Sequence, residues 1–496
     1  MDLMFMGKNI SKLKYTENDY ILFQQKIYQQ LEQLKEIIAL PNFGDEPMKI
    51  GAELEMYLVD DNGEVSLSNQ LLLDALKDEQ FQPELNQYNL ELNLSAFDQN
   101  GTPFTHLRNE ILLKTTYLER VASQHNINVV PVGILPTLRK EHLNSQYMSD
   151  IARYHCLSKK LHQQRGENFK VNINGEEPVS VDFSDISAEG ANTSFQVHLM
   201  VKPQRFKDIF NAAQITAPLV AAISANSGIF LGNRVWDETR ITLFKQSLDI
   251  RLRDNMQWQE PTRVNFGHGW LRNGPWELFA EAVALYPPII PEVFNENDSH
   301  KIPALDELSL HVGTIWPWHR PVFCNHGNGH IRIEFRAIPA GPTSLDMVAN
   351  AAFAIGLAVG ISENIDELIA KVPFRFAEYN FYRAAQHGLD AKILWPLKNK
   401  HHPKEAKIGE VIAALLPAAK AGLLSLGVET NEADYFLGII EQRLNEGVTG
   451  AIWQKRTLKT LEQYTDKNTA CQQLVQHYIK QSRSCQPVAT WERSWT

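Results

Sequence analysis

The sequence has few cysteines, and none of them is spaced to bind a metal together with another. Its four cysteines, Cys156, Cys324, Cys471 and Cys485, lie far apart and form no C-x-x-C motif. This spacing argues against a disulfide framework and against a thiolate zinc site. The first 15 residues lack the basic start and apolar core of a signal peptide, and no apolar run reaches membrane-span length. We therefore expect a cytoplasmic protein.

Basic residues, 48 in all, are fewer than the 58 acidic ones. The net charge of −10 argues against a nucleic-acid or anionic-membrane partner. The phosphate-binding motif G-x-x-x-x-G-K-[ST] is missing, as is the G-x-S-x-G motif of serine hydrolases. If this protein binds ATP, metal ions and arginines must hold the phosphates.

The pattern along the chain predicts an α+β protein rather than regularly alternating β-α units. Residues 17–40 have the apolar spacing of an amphipathic helix, which packs on the body of the protein or on another subunit. Segment 127–136 predicts a strand and 204–228 a pair of helices, while the chain beyond about 350 is mostly helical. We predict an N-terminal helical segment (1–45), a main domain (46–400) and a helical C-terminal region (401–496) packed on it.

Five segments alternate apolar and polar residues with the period of a strand. In segment 49–63 this alternation puts Glu53 and Glu55 side by side on one face. Segments 88–95, 193–201, 238–244 and 330–339 alternate in the same way. Their polar faces hold Glu91, His198, Arg240, His330, Arg332, Glu334 and Arg336.

The residue types on these polar faces favour a ligand site. An antiparallel sheet with one face in water alternates in the same way, but a solvated face usually includes lysine, which is almost absent here. Carboxylates with one imidazole suit Mg²⁺ or Mn²⁺, and arginines suit carboxylate or phosphate groups. Two alternatives remain for single residues. Arg240 and Arg336 could pair with Glu238 and Glu334, and His198 could be an ordinary core histidine.

A second group of potential ligands lies between residues 311 and 330. It consists of His311, His319, Cys324, His326 and His330. Their spacing matches no standard zinc module, so we interpret the segment as a loop whose histidines form hydrogen bonds or meet substrate. Trp316 and Trp318 in the same segment are expected to pack rather than to stack on a substrate.

Six blocks of the sequence resemble, in order, the bacterial glutamate–cysteine ligase family 2, the carboxylate-amine ligases. The blocks are GAELEMYLVD, LELNLSAF, FQVHLMV, ANSGIFLGNRVWDETRI, HIRIEFRAIPAGPT and YNFYRAAQHGLDA, spread from about residue 49 to 392. The resemblance implies a glutamine-synthetase-like fold, which is a curved antiparallel sheet with one open polar face, backed by helices. The main domain is then the catalytic domain.

The resemblance also implies roles for single residues. The implied metal ligands are Glu53, Glu55, Glu91, His198 and Glu334. Arg336 is implied to face the transferred phosphoryl group and Arg240 to hold the amino-acid substrate, so these two are the predicted catalytic residues. Arg332, Arg336 and His330 are the predicted ATP contacts. Gln196 stands where the family often has a further histidine.

The implied activity is ATP-dependent ligation of a carboxylate, expected to be glutamate, to an amine such as cysteine. The expected cofactors are ATP with Mg²⁺ or Mn²⁺, and the expected partner is a small amino-acid substrate. Two other functions stay open, a phosphotransferase of the guanidino-kinase type and a non-catalytic nucleotide- or amino-acid-binding descendant. The sequence leaves open the identity of the amine, a protein acceptor included, and whether the chain forms a homodimer.

Overall fold

The computed structural model describes residues 10–252, 258–295, 301–396 and 403–493. Their helices are α1 (Glu17–Ile38), α2 (Asn69–Leu76), α3 (Pro103–Ser123), α4 (Ala152–Arg165), α5 (Pro203–Ser224), α6 (Thr239–Ser247), α7 (Trp276–Leu285), α8 (Asp306–Val312), α9 (Ser344–Gly360), α10 (Ile365–Lys371), α11 (Phe374–His387), α12 (Ile408–Ser425), α13 (Thr430–Glu446), α14 (Gly450–Leu461) and α15 (Lys467–Arg483). Their strands are β1 (Lys49–Val59), β2 (Phe81–Pro83), β3 (Asn89–Asn93), β4 (Phe97–Asp98), β5 (Asn128–Val130), β6 (Phe169–Ile173), β7 (Val179–Phe183), β8 (Phe195–Met200), β9 (Ile229–Phe230), β10 (Asn233–Arg234), β11 (Val264–Asn265), β12 (Trp316–Pro317), β13 (His319–Cys324), β14 (His330–Phe335), β15 (Lys392–Trp395) and β16 (Lys404–Lys407).

The main sheet is antiparallel, as the sequence predicts. Its strand order is β13-β14-β8-β1-β3-β2, and β4 and β5 pair with the two ends of β1. Strand β1 lies near the middle, between β8 and β3. The α+β class and the glutamine-synthetase-like sheet are thereby confirmed.

The apolar face of the sheet belongs to the hydrophobic core. Leu54 and Met56 of β1 are completely buried, and helices α3 and α9 lie against the sheet with α5 next to α9. A fully buried leucine contributes about 2 kcal/mol to stability. Because side chains alternate along a strand, the same burial turns Glu53 and Glu55 toward the opposite face.

Three local predictions are wrong. Segment 238–244, predicted as a strand, is the first part of helix α6, and all its residues are buried. In a short segment whose residues are all buried, the hydrophobic pattern does not distinguish a helix from a strand. Residues 204–228 form most of the single helix α5, which continues through Pro218, rather than two helices. The strand predicted over 127–136 is limited to β5.

The expectation that no apolar segment reaches membrane-span length is also wrong. Helical segments Ser344–Lys371 and Ile408–Ser425 are both long and apolar enough, by length and composition alone. In the first, 89% of the apolar window is buried within the protein. Its helix α9 packs against α3, α5, α12 and α13, as a core helix of a globular protein does.

The two ends of the described chain pack on the central part. Helix α1 buries Phe23, Ile27 and Leu34 and contacts α7 and α8, so its apolar stripe packs on the body of the protein. Helix α12 lies against α9, and the contact is close because Gly360 faces the backbone of Ala418 with no room for a side chain. The predicted division at 45 stays a prediction, and the division at 400 falls outside the described residues.

Candidate active site

The polar face of the sheet lines a cavity of about 1040 Å³. The sheet contributes Glu55, Glu91, Gln196, Arg320, Arg332 and Arg336 to its wall. Helices cover the opposite side, with Tyr154 from α4, Phe279 from α7 and Leu310 from α8. The wall formed by the sheet, called the floor below, is therefore charged, and the opposite wall formed by the helices, called the roof, is largely apolar.

Glu53, His198 and Glu334 meet on this face from three neighbouring strands. His198 Nε2 lies 3.2 Å from Glu53 Oε1 and 4.0 Å from Glu334 Oε1. The strand register brings these side chains together, because Glu334 of β14 is directly opposite His198 of β8, and β1 is the next strand beyond β8. All three side chains are buried, yet Glu53 Oε2 and His198 Nε2 make no hydrogen bond with the described residues. Buried polar atoms without hydrogen bonds are uncommon in proteins, so these two are available to a ligand.

Two arginines hold Glu334. Arg320 donates from Nε to Oε2 at 2.5 Å and from Nη2 to Oε1 at 3.0 Å, and Arg336 donates from Nη1 to Oε1 at 3.1 Å. Burial by itself would raise the pKa of Glu334, but these guanidinium groups hold it well below its usual range. Glu334 is therefore ionised. The alternative pairing of Arg336 with Glu334, left open by the sequence, is present in the structure.

A second group of carboxylates lies beside the first. Glu55, Glu84 and Glu91 each have a carboxylate oxygen within 4.8 Å of the others. Strand pairing explains why two of these carboxylates are close, because Glu55 of β1 and Glu91 of β3 are directly opposite each other. Burial and the charges of Glu55 and Glu189 raise the pKa of Glu84 to about 8. Burial and the charges of Glu53 and Glu84 raise the pKa of Glu91 well above its usual value.

Glu55 and Arg336 are joined by Gln196. The amide of Gln196 donates from Nε2 to Glu55 Oε1 at 2.8 Å, and its Oε1 accepts from Arg336 Nη1 at 2.5 Å. Glu55 also accepts from the backbone N–H and the hydroxyl of Ser194, at 2.7 and 3.0 Å. Burial raises the pKa of Glu55, while the charges of Arg240 and Arg336 oppose the rise.

Both carboxylate groups fit divalent cations. Their donors are carboxylate oxygens with a single imidazole nitrogen, which is the set that Mg²⁺ and Mn²⁺ accept. Three carboxylates at such close range repel one another unless protons or cations lie between them. This crowding favours cation sites at both groups, as does the absence of hydrogen bonds to Glu53 Oε2 and His198 Nε2 within the described residues.

The other predicted residues are distributed differently. Arg332 lines the cavity from β14. His330, at the start of β14, does not belong to the cavity wall, and burial lowers its pKa to about 4. Arg240 lies on α6 rather than on a strand, and its Nη1 donates to Glu238 Oε1 at 3.0 Å. Arg240 is almost fully buried and outside the cavity wall, so the sequence-based alternative of a structural ion pair is what the structure contains.

The potential ligands of segment 311–330 do not converge within the described residues, and the segment is not a loop. In the described residues His311 lies on α8 and His319 on β13, and no group of these histidines converges. His311 Nε2 lies 3.1 Å from the carbonyl oxygen of Ala282, and His319 Nδ1 lies 2.9 Å from Gln214 Oε1. Trp318 is buried against Phe244, which agrees with the expected packing role.

Among the charged residues of the cavity wall that sequence reasoning missed are Arg320, Glu84 and Glu189. The signal for Arg320 was present, because His319–Cys324 pairs with the predicted strand 330–335 as a hairpin. Glu84 follows the short strand β2, and Glu189 lies in a 3₁₀ turn before β8, so neither shows a periodic pattern.

The chain is similar to known proteins in sequence family and in fold. The family model of glutamate-cysteine ligase family 2 (GCS2) matches residues 49–477. A glutamate–cysteine ligase from Francisella tularensis, solved in complex with AMP, is similar with a TM-score of 0.52 and 11% identity, over 88% of this chain and 89% of that one. A bifunctional glutathione synthetase from Pasteurella multocida gives a TM-score of 0.43 and 12% identity, over 94% and 55% of the two chains. No curated protein sequence matches the chain significantly.

Proposed function

The chain belongs to glutamate-cysteine ligase family 2, and we propose that it is an ATP-dependent ligase that joins the γ-carboxylate of glutamate to an amine such as cysteine. One observation carries the proposal. Glu55, Glu84 and Glu91 line a single cavity together with three arginines of the sheet, and this cavity is large enough for a nucleotide beside an amino acid. Two of these arginines, Arg320 and Arg336, also hold Glu334 of the neighbouring group. Strands rather than loops carry most of these side chains, so their positions are rigid.

Joining a carboxylate to an amine is unfavourable in water and needs activation. In the proposed reaction the substrate carboxylate attacks the γ-phosphorus of ATP and yields an acyl phosphate and ADP. The amine then displaces phosphate from the acyl carbon. Negative charge spreads over the transferred phosphoryl oxygens, so positioning and cationic stabilisation supply most of the catalysis.

We assign two groups of this chain to divalent cations. Glu53, His198 and Glu334 form one group; Glu55, Glu84 and Glu91 form the other. Bound Mg²⁺ or Mn²⁺ would neutralise the β- and γ-phosphates of ATP. Arg320 and Arg336 keep Glu334 ionised and oriented, and Gln196 keeps Glu55 and Arg336 at a fixed separation.

The arginines have separate proposed roles. Arg336 faces the transferred phosphoryl group, since it projects from the end of β14 into the cavity beside both carboxylate groups. Arg332 lines the same wall and is proposed to contact ATP. A contact of His330 with ATP stays a prediction from the sequence. A contact of Arg240 with the amino-acid substrate stays a prediction from the family resemblance. The use of ATP and the four unpaired cysteines support a cytoplasmic location.

The test is ATP turnover with Mg²⁺ or Mn²⁺, L-glutamate and a panel of amines that includes L-cysteine. A ligase releases ADP and free phosphate only when the amine is present, and Glu334→Gln abolishes that release. A phosphotransferase would instead leave phosphate on a stable product. If neither turnover nor ATP binding occurs, the proposed function is wrong and a non-catalytic protein is favoured.

A further inference from the structure

Glu189 is a carboxylate of the cavity that belongs to neither cation group. It lies in the 3₁₀ turn Glu189–Ala191, directly before β8, and lines the cavity. The charge of Glu55 repels it and the charge of Arg336 attracts it. Its own charge acts on Glu84, which follows β2, and on Tyr154 of α4. Its position is therefore between the charged floor and the roof.

The side chain of Glu189 has no hydrogen bond or ion pair with the described residues, unlike those of Glu55, Glu91 and Glu334. Glu55 has donors from Ser194 and Gln196, Glu91 accepts from Asn93, and Glu334 has two arginines. Glu189 is also outside the groups of closely spaced ligand atoms formed by Glu53, His198 and Glu334 and by Glu55, Glu84 and Glu91. A carboxylate that faces a cavity without a partner is available for a cationic group of a ligand.

The turn that carries Glu189 is held firmly. The backbone N–H of Glu189 donates to Ile186 O at 2.8 Å, and the amide of Asn192 donates to Glu189 O at 2.8 Å. The next residue, Gly190, packs so closely on the amide of Asn86 that no side chain fits there. Asn86 is held in turn by Tyr88 and Ser187 O. The carboxylate is thus presented from a fixed backbone, as a catalytic group requires.

We propose that Glu189 binds the ammonium group of the amine substrate and accepts its proton. The inference rests on the proposed function. An alkylammonium ion has no lone pair, so it must lose a proton before its nitrogen can attack the acyl phosphate. One proton goes from the ammonium group to Glu189 and later to water. The C–N bond then forms, the bond between the acyl carbon and the phosphate oxygen breaks with its electrons on phosphate, and the second amine proton leaves with the phosphate.

The substrate class follows from this chemistry. Glu189 selects an amine that is protonated at neutral pH, such as the α-amino group of an amino acid. A nucleophile that is already neutral, such as hydroxylamine, does not need the base. Removal of a general base costs about 10²–10⁴ in rate for a nucleophile that needs it.

The experiment compares L-cysteine with hydroxylamine as nucleophiles, with L-glutamate, ATP and Mg²⁺. With L-cysteine, Glu189→Gln is expected to lower kcat at least about 100-fold, and with hydroxylamine it should stay within about threefold of wild type. The residual L-cysteine rate of the variant should rise about tenfold per pH unit, following the free amine. Equal losses with both nucleophiles, no loss with either, or a raised KM for L-glutamate in the hydroxylamine assay would overturn the inference.

Two control variants separate this inference from the proposed function. Glu79→Gln makes the same substitution at an exposed position on the cavity edge and should leave both rates unchanged. Glu84→Gln, in a proposed cation group, should lose turnover with both nucleophiles. If the wild-type protein turns over neither nucleophile, the proposed function itself fails, and the inference fails with it.

Discussion

Arg320 forms a bidentate ion pair with Glu334 across the β13–β14 hairpin. Its Nε donates to Glu334 Oε2 at 2.5 Å, and its Nη2 donates to Glu334 Oε1 at 3.0 Å. The two residues are directly opposite each other in the strand register, and both are buried. This fork leaves the carboxylate of Glu334 no freedom to rotate away from His198. It also explains how an ionised carboxylate is tolerated in a buried position.

Arg320→Lys should therefore be far from conservative. A lysine keeps the charge but offers a single point of contact in place of the planar fork. We expect the variant to fold and its ATP turnover to fall about 100-fold, because a displacement of about 1 Å at a catalytic carboxylate has that effect. Steady-state kinetics and a thermal melt measure the two properties. Turnover within threefold of wild type would show that the fork does not position Glu334.

Glu53→Gln should keep the fold and lose metal-dependent turnover. The carboxylate oxygen Oε2 of Glu53 has no partner in the described residues, so the amide removes charge without breaking a hydrogen bond to that atom. We expect a loss of about 10²–10³ in kcat, as for other removed charge stabilisers. Mn²⁺ binding followed by electron paramagnetic resonance gives an independent measurement. Wild-type Mn²⁺ affinity in Glu53→Gln would remove this residue from the proposed ligand set.

The pH dependence of stability should reveal the crowded carboxylates in metal-free protein. Burial, with the charges of Glu55 and Glu189, raises the pKa of Glu84 to about 8 from an ordinary value of 4.5. Between these two values the folded protein holds a proton that the unfolded chain has released, so this group makes the free energy of unfolding fall as pH rises. Glu84→Gln has no carboxyl group at this position, so its free energy of unfolding lacks this contribution to the fall with rising pH.

The variant should therefore become more stable relative to wild type as pH rises from about 4.5 to about 8. Urea unfolding in EDTA at several pH values measures the difference. Addition of Mn²⁺ should reverse it, because a ligand that binds the folded state stabilises wild type by about 2.7 kcal/mol at 100 times its Kd. A stability difference that is independent of pH would show that Glu84 titrates normally.

Arg240→Met should destabilise the protein more than it changes substrate binding. Arg240 Nη1 and Glu238 Oε1 are 3.0 Å apart in a fully buried pair, and removal of one partner of such a pair costs roughly 3–5 kcal/mol. The double variant Glu238→Gln/Arg240→Met should recover part of this loss. The family resemblance predicts a different result, a raised KM for L-glutamate with an unchanged melting temperature, and the two outcomes are distinguished by kinetics and calorimetry together.

Gln196→Met should uncouple Glu55 from Arg336. Methionine has a similar length but neither donates to Glu55 nor accepts from Arg336, and it leaves both with one partner fewer. We expect kcat to fall about 10-fold or more, with a smaller change in the KM for ATP, because the lost contacts position groups that act in the transition state. Gln196→Glu serves as the comparison, since it keeps the contact to Arg336 but repels Glu55. Full activity of Gln196→Met would show that the bridge is dispensable.

Much of the site could be predicted from the sequence because it depends on local alternation. In β1, β3, β8 and β14 the residues of the polar face follow from the period of a strand, and Glu53, Glu55, Glu91, His198 and Glu334 all lie on that face. The apolar residues between them are buried, so a shift of one residue would expose the core. A hydrophobic face that must be buried therefore determines where the charged residues point.

Contacts between distant parts of the chain could not be predicted in this way. The pairing of Arg320 with Glu334, the second cation group completed by Glu84, and the unpartnered Glu189 depend on segments that show no period of their own. The same holds for Arg240, whose neighbours in α6 are buried on every side, so the sequence pattern predicts a strand where the structure has a helix. The alternation in the sequence is enough to predict which face of the sheet carries charge, because burial of the neighbouring apolar residues sets that face. Which charged groups meet depends on how turns and helices close over the sheet, and no local pattern in the sequence encodes this.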